Sequence, residues 1–247
     1  MSPASSRPDR EEGRPAPERS RLAPEGLPFV AAAAFLAAAG IVAAAVWDRW
    51  PVWAGAGLLT ALALLTVFFF RDPARTGPRG DDLVVAAADG LVLGTEPVDH
   101  PPYLGGPGLR VSVFLSLLDV HVNRYPVSGR VEWREERGGG FEPAWRASAA
   151  LHNASVTLGI RREDGRRVAV RQVVGLVARR IVSRAREGDA VEQGARMGVM
   201  RFGSRLDLFL PPDAEVRVRK GDRAVGGVTV MARLGPPAGR GAGAADA

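Results

Sequence analysis

Four clusters of polar residues break an otherwise apolar chain, and each holds side chains able to do chemistry. "FLSLLDVHVNRYPVSG", residues 114–129, sets Asp119, His121 and Asn123 at alternate positions of a strand-like run. Alternate residues of a strand share a face, so a carboxylate, an imidazole and an amide line up as an oriented general base would need. A buried structural histidine with polar neighbours would look the same. "AAADG", residues 86–90, puts Asp89 in an Asp-Gly turn between two apolar runs. "FFFRDPAR", residues 68–75, places Arg71 and Asp72 where an apolar segment stops before Pro73. "RFGSRLDLFLP", residues 201–211, sets Gly203-Ser204 at the head of a β-like run. The glycine reads as a tight turn, and the serine lacks the G-x-S-x-G setting of a hydrolase nucleophile.

Composition narrows the chemistry that these clusters can do. The 247 residues include no cysteine, which excludes disulfides, thiol nucleophiles and thiolate metal sites. Any imidazole chemistry must come from His100, His121 or His152. Lys+Arg exceeds Asp+Glu by 33 to 27, and Lys220 is the only lysine. That excess favours an anionic partner, an acidic lipid surface or nucleic acid. Zinc-finger spacing and aromatic-plus-basic RNA signatures are missing, so no nucleic acid and no metal are expected.

The elements that position the clusters fall into distinct zones. Residues 1–27, rich in Pro, Ser, Arg and Glu, are expected to be disordered. Two uncharged stretches follow, Pro28–Trp47 and Val52–Phe70, joined by "DRWP". Each has about 19 residues, enough for a helix to cross a bilayer, and neither keeps a polar face. A cleavable signal peptide fits less well, given the long polar leader and the second apolar segment. Residues 28–72 are therefore expected to form a membrane helical hairpin, spanning or re-entrant, with Trp47, Trp50 and Trp53 at its turn. Arginines 14, 19 and 21 flank one end and 71, 75 and 79 the other, against Arg49 in the turn, which places both termini on the cytoplasmic side.

From residue 73 to 234 short Val/Leu-rich runs alternate with Gly, Asp and Pro, the texture of a β-sandwich or barrel. Only "QVVGLVARRIVSRA", residues 172–185, also admits a helical reading. Two pieces resemble each other, "AREGDAVEQGARMGVM" at 185–200 and "VRKGDRAVGGVTVM" at 218–231. They point to duplicated Gly-Asp hairpins like those of lipoyl and biotin carriers. The fold class is thus mainly β (α+β), preceded by the two-helix hairpin. Residues 235–247 form a low-complexity tail expected to be disordered.

In order along the chain, the double apolar segment, "FFRDP", "ADG", "LDVHVNRYPVSG", "VGLVARRIV", "EGDAVEQGARMGVMRFGSRLDLFLP" and "KGDRAVGG" resemble the short form of phosphatidylserine decarboxylase, a self-processing pyruvoyl enzyme. The resemblance spans about residues 30–232, and "RFGSRLDLFLP" and "LDVHVNRYPVSG" carry most of its specificity. It implies that the Ser204 hydroxyl attacks the Gly203 carbonyl, dividing the chain into 1–203 and 204–247. It also implies that former Ser204 becomes a pyruvoyl group, which forms a Schiff base with phosphatidylserine and releases carbon dioxide to give phosphatidylethanolamine. Such a ketone does the work of pyridoxal phosphate elsewhere.

By the same resemblance, Asp89 is the acid paired with serine and histidine in self-cleavage, and His121 protonates the carbon that loses carbon dioxide. Longer relatives carry a second histidine where this chain has Arg124, so the cleavage base is either His121 in both steps or another group. Asp119 and Asn123 are expected to orient His121 and border the substrate, and Arg124 to bind its phosphate or carboxylate. The partners implied are phosphatidylserine and an anionic membrane surface, with a homo-oligomer left open. Two other readings compete: a membrane-anchored lipoyl-like adaptor, and an unprocessed structural relative. An adaptor needs a lysine at a hairpin tip, and Lys220 precedes its Gly-Asp turn.

Overall fold

The computed structural model describes residues 22–146, 148–175, 181–200 and 203–235. The expected disorder of 1–21 and 236–247 lies outside those residues. Residues 22–27 do carry structure. Leu22 bridges Arg71, the Ala23 amide donates to Phe70 O at 2.8 Å, and Pro24–Gly26 form a 3-10 turn. Gly26 lies flush against the Phe70 ring, where any side chain would collide. This polar-looking leader is held because it closes over the end of the second helix.

The hairpin consists of α1, Leu27–Trp47, and α2, Trp50–Phe69. Both are long and apolar enough to cross a membrane. Each is apolar all round, and little more than the line where they touch, Ala37, Ala44 and Ala56, is buried. Gly40 lets the helices approach, since a Cβ there would stand 3.0 Å from Leu59 and 3.4 Å from the Ala56 backbone. The turn is closed by Asp48 in the left-handed conformation (φ 43°), whose carboxylate accepts from Trp53 Nε1 at 3.2 Å. Pro51 opens α2, where its missing N–H costs nothing.

The β-domain contains β1 (Leu83–Val85), β2 (Gly90–Val98), β3 (Gly108–Leu115), β4 (Val122–Arg124), β5 (Gly129–Arg137), β6 (Ser155–Arg161), β7 (Arg167–Val173), β8 (Ile181–Ser183), β9 (Ala190–Val191), β10 (Arg196–Met200), β11 (Ser204–Leu210), β12 (Glu215–Val216), β13 (Arg223–Ala224) and β14 (Val230–Arg233). One short helix, α3, covers Ala149–His152. An eight-stranded antiparallel sheet runs β13-β2-β3-β11-β7-β6-β5-β9, and two three-stranded sheets run β1-β14-β12 and β4-β10-β8.

This order is a mirrored duplication. Read from its two edges, the large sheet is β13-β2-β3-β11 and β9-β5-β6-β7, and the small sheets correspond strand for strand. The Gly-Asp turns match atom for atom. Gly188 N–H bonds Val131 O and Val131 N–H bonds Asp189 O, just as Gly221 N–H bonds Val92 O and Val92 N–H bonds Asp222 O. Each aspartate also caps its own turn, Asp189 on the Arg186 amide and Asp222 on the Arg219 amide.

No helix forms among the described residues of 172–185. Gln172 and Val173 are held in β7 by pairing to β11 on one side and β6 on the other, and β8 takes up Ile181–Ser183. The stretch 176–180 lies outside the described residues. At the centre of the large sheet, β11 is buried on both faces. Leu206, Leu208 and Leu210 enter the main core. Arg205 and Asp207 face the other way, where they share a hydrogen-bonded knot with Ser112.

Candidate active site

Ser204 is the first residue of β11, paired with Leu115, and its side chain is wholly buried. Its Oγ finds no hydrogen-bond partner among the described residues. A buried hydroxyl left unmatched costs roughly 1–3 kcal/mol, a cost usually met where chemistry needs the group free. Gly203 before it sits in the left-handed region (φ 64°), which a side chain would strain. The Gly203 carbonyl in turn leans on Gly175, where a Cβ would come within 1.9 Å of the oxygen. Two glycines, one just after β7 and one just before β11, therefore meet at one peptide bond, where a side chain on either would strain or collide.

His121 precedes β4 and is 1% exposed. Its Nδ1 lies 2.9 Å from the Asp119 carbonyl oxygen, an acceptor only, so the ring proton belongs on Nδ1. Nε2 is then a bare lone pair, and it is unpartnered among the described residues. Burial pushes the imidazole pKa down to about 4, so the ring is neutral at pH 7. The ring of Phe69, the last residue of α2, packs on it at 4.3 Å between centroids. The His121 carbonyl accepts from the Met200 amide, four residues before Ser204.

Asp119 orients His121 through its main chain rather than its carboxylate. One carboxylate oxygen caps the Ser116 amide (2.8 Å) and hydroxyl (2.7 Å), and the other accepts from Arg223 (2.6 Å). The expected strand alternation fails there because 116–119 is a turn preceding β4. Asn123 is fully buried, and its Oδ1 accepts from Gln172 Nε2 at 2.7 Å. Gln172 lies opposite Leu206 in β11. Asn123 Nδ2 and Gln172 Oε1 both stay unpartnered among the described residues, a spare donor beside a spare acceptor.

Asp89 is held by Arg75 Nη2 at 2.7 Å and by the Gly226 amide at 2.8 Å, and burial raises its pKa. The duplicated half makes the same amide contact with Ser128, whose Oγ accepts from Gln193 N. That contact needs no charge, so the carboxylate is what the first half adds. Arg124 donates to Asp72 (2.6 Å), Pro73 O (3.1 Å) and Gly194 O (3.2 Å). Asp72 also lies 3.8 Å from Arg196, which reaches on to Glu25. The guanidinium expected to meet substrate thus straps the end of the hairpin to β4. His100 and His152 are exposed and stand apart from these groups.

Gln172, Gly175, Phe69 and Arg75 belong to this arrangement without having been singled out by sequence. Gln172 was marked only by being a lone uncharged polar residue in "VAVRQVVG".

The sequence model of the phosphatidylserine decarboxylase family matches residues 62–232. A phosphatidylserine decarboxylase proenzyme of Symbiobacterium thermophilum is 46% identical over 216 residues, 87% of this chain and 97% of that protein. Proenzymes of the same description from Pelobacter propionicus and Saccharopolyspora erythraea are 40% and 46% identical, over 88% and 85% of this chain and 99% and 87% of theirs.

Proposed function

The chain belongs to the phosphatidylserine decarboxylase family, and from that membership we propose that it is a proenzyme whose Gly203-Ser204 bond cuts itself. The observation that carries the reading is a buried Ser204 hydroxyl, without a partner among the described residues, next to a left-handed glycine whose carbonyl lies close against Gly175. Ser204 Oγ attacks the Gly203 carbonyl carbon as His121 Nε2 takes the hydroxyl proton. The C–N bond breaks and leaves an ester. Loss of the Ser204 α-proton then expels the Gly203 carboxylate, and water hydrolyses the resulting dehydroalanine to a ketone and ammonia.

The pyruvoyl ketone so formed supplies an electrophile for the substrate amine and a sink for the electrons that carbon dioxide leaves behind. The chain's own residues do the rest. Asn123 Nδ2 offers the buried donor that a substrate oxygen requires, and Gln172 keeps that amide turned inward. His121 is the proton carrier, neutral and shielded, and returns a proton to the carbon after decarboxylation. Asp89 stays in the proposed cleavage machinery on the family resemblance of its Asp-Gly turn, where Arg75 and the Gly226 amide hold the carboxylate and burial raises its pKa. The reaction class is a carboxy-lyase acting on phosphatidylserine to give phosphatidylethanolamine.

The hairpin supports a membrane location, and the arginines flanking its ends support a cytoplasmic β-domain. Intact-mass analysis of the detergent-solubilised protein tests the proposal. Chains of residues 1–203 and 204–247, the smaller with a pyruvoyl in place of its serine N-terminus, are expected. One chain that stays whole on long incubation would overturn it.

A further inference from the structure

The loop between β3 and β4 carries Leu117 and Leu118, 53% and 66% exposed, the most exposed leucines among the described residues outside the hairpin. The loop is rigid. Asp119 caps Ser116 through both amide and hydroxyl, and Arg223 grips the other oxygen of the same carboxylate. Two water-facing leucines on a braced turn are an expense that a purely aqueous surface does not explain.

Arg71 sets the direction of this loop. Its guanidinium lies 3.8 Å over the Phe68 ring, donates to Phe68 O at 2.7 Å and donates to Leu118 O at 2.6 Å. One side chain thus ties the last turn of α2 to the backbone that presents the leucines. Phe68, Phe29 and Leu27 at that end of the hairpin are themselves 44%, 46% and 51% exposed. The two leucines therefore continue the apolar collar where the hairpin meets the β-domain. Arg223, with 65% of its side chain exposed beside them, is spent on the Asp119 carboxylate at 2.6 Å, so this edge of the loop carries a neutralised pair and no free carboxylate to repel lipid phosphates.

Resting on the membrane reading above, we propose that Leu117 and Leu118 enter the leaflet in which the base of the hairpin lies, as a second, shallow contact with an anionic bilayer. His121 follows Leu118 by three residues, so this contact sets the imidazole just beneath the headgroups. A lipid headgroup then reaches the site without its acyl chains leaving the bilayer.

Because the chain has no cysteine, Leu118→Cys creates a single labelling position. The full-length variant carries a small environment-sensitive fluorophore in phosphatidylserine-containing vesicles. The control is Glu163→Cys, exposed in the β6–β7 turn at the far end of those strands. Lipids brominated near the top of the acyl chain should quench the Leu118 probe at least about twofold more than the control, with iodide doing the reverse. Equal bromolipid quenching at both positions overturns the proposal. So does shielding from iodide without bromolipid quenching, which would mean that a second copy of the chain covers the loop. The readout needs no catalysis, so it stands apart from any failure of the decarboxylase reading, which mass analysis of the same sample reports. As a second variant, Leu117→Ser with Leu118→Ser should slow turnover of bilayer phosphatidylserine while sparing a dispersed short-chain analogue; equal loss on both also overturns the proposal.

Discussion

The rings of Phe69 and His121 lie 4.3 Å apart, tilted by 36°, so the last residue of an apolar helix is a wall of the proposed catalytic site. Phe69 belongs to a small core with Ala23, Phe70, Val120, Val122 and Val199, which brackets the histidine from both sides in sequence. Removing the ring in Phe69→Ala admits water to the imidazole. The expected results are a stability loss of about 3 kcal/mol and an acid limb of self-cleavage shifted up by about one pH unit. Phe69→Leu should restore most of both. Chain cleavage followed by mass across pH checks this; an unmoved acid limb would mean that Phe69 only fills space.

Burial of His121 also predicts how stability depends on pH. The folded-state pKa is lowered to about 4, against 6.5 for the unfolded chain, so the unfolded state binds the proton first. The contribution is complete above pH 6.5 and is lost as pH falls towards 4, reaching about 3 kcal/mol. Urea unfolding of the cleavage-blocked Ser204→Ala protein, with and without His121→Asn, measures it. Parallel pH slopes in the two proteins would remove His121 as the cause.

Arg124 and Asp72 form a nearly buried pair, with 13% and 7% of their side chains exposed. Breaking such a pair from one side leaves a buried charge poorly matched, Asp72 then keeping its longer contact with Arg196 among the ion pairs of the described residues, and costs roughly 3 kcal/mol. Arg124→Met and Asp72→Asn should therefore each destabilise the protein, while the double variant loses far less than the sum. Self-cleavage should persist in all three. Additive losses would show that the strap is not a unit, and abolished cleavage in Arg124→Met alone would return that side chain to the chemistry.

Asn123 is proposed to serve the substrate rather than cleavage, because its spare donor is not bonded to His121 or Ser204. Asn123→Ala should leave chain division intact and raise KM about tenfold or more, with a smaller change in kcat. Steady-state decarboxylation by the matured variant decides this. A kcat loss at unchanged KM would move Asn123 into the reaction itself.

Much of this arrangement was legible in sequence, and what was not has a physical reason. The hairpin declares itself by two uncharged runs, and the paired Gly-Asp pieces at 185–200 and 218–231 become equivalent turns of one duplicated fold. Ser204 and His121 stand inside distinctive motifs. The partner of Arg124 was hidden because Asp72 lies 52 residues earlier, across a contact that no periodicity encodes. The way Asp119 meets His121 was hidden for a local reason: a carboxylate three residues before a strand can cap its own turn more easily than it can reach a neighbouring ring, which leaves its carbonyl to hold the imidazole. α3 was missed because four residues are too few to display a helical pattern.

Gly175 is the residue whose importance shows only in three dimensions. A methyl group at this position would overlap the Gly203 carbonyl oxygen, 1.9 Å from the new Cβ, while Ala144 closes the space at 3.2 Å. The carbonyl must then turn or the 174–175 backbone must retreat, and either changes the angle at which Ser204 Oγ meets the carbon. Displacements of about 1 Å at a reacting centre cost on the order of a hundredfold in rate. Gly175→Ala should therefore accumulate full-length precursor and cleave at least about a hundredfold more slowly. Hydroxylamine, which cleaves an ester to a hydroxamate and a serine end but leaves an amide intact, should therefore cut the variant as slowly as self-cleavage does, because the ester is not formed. Mass analysis over time, beside a unfolding curve to show that the variant folds, separates geometry from collapse. Cleavage at the unaltered rate would show that the carbonyl tolerates the methyl group and that the contact with Gly175 is incidental.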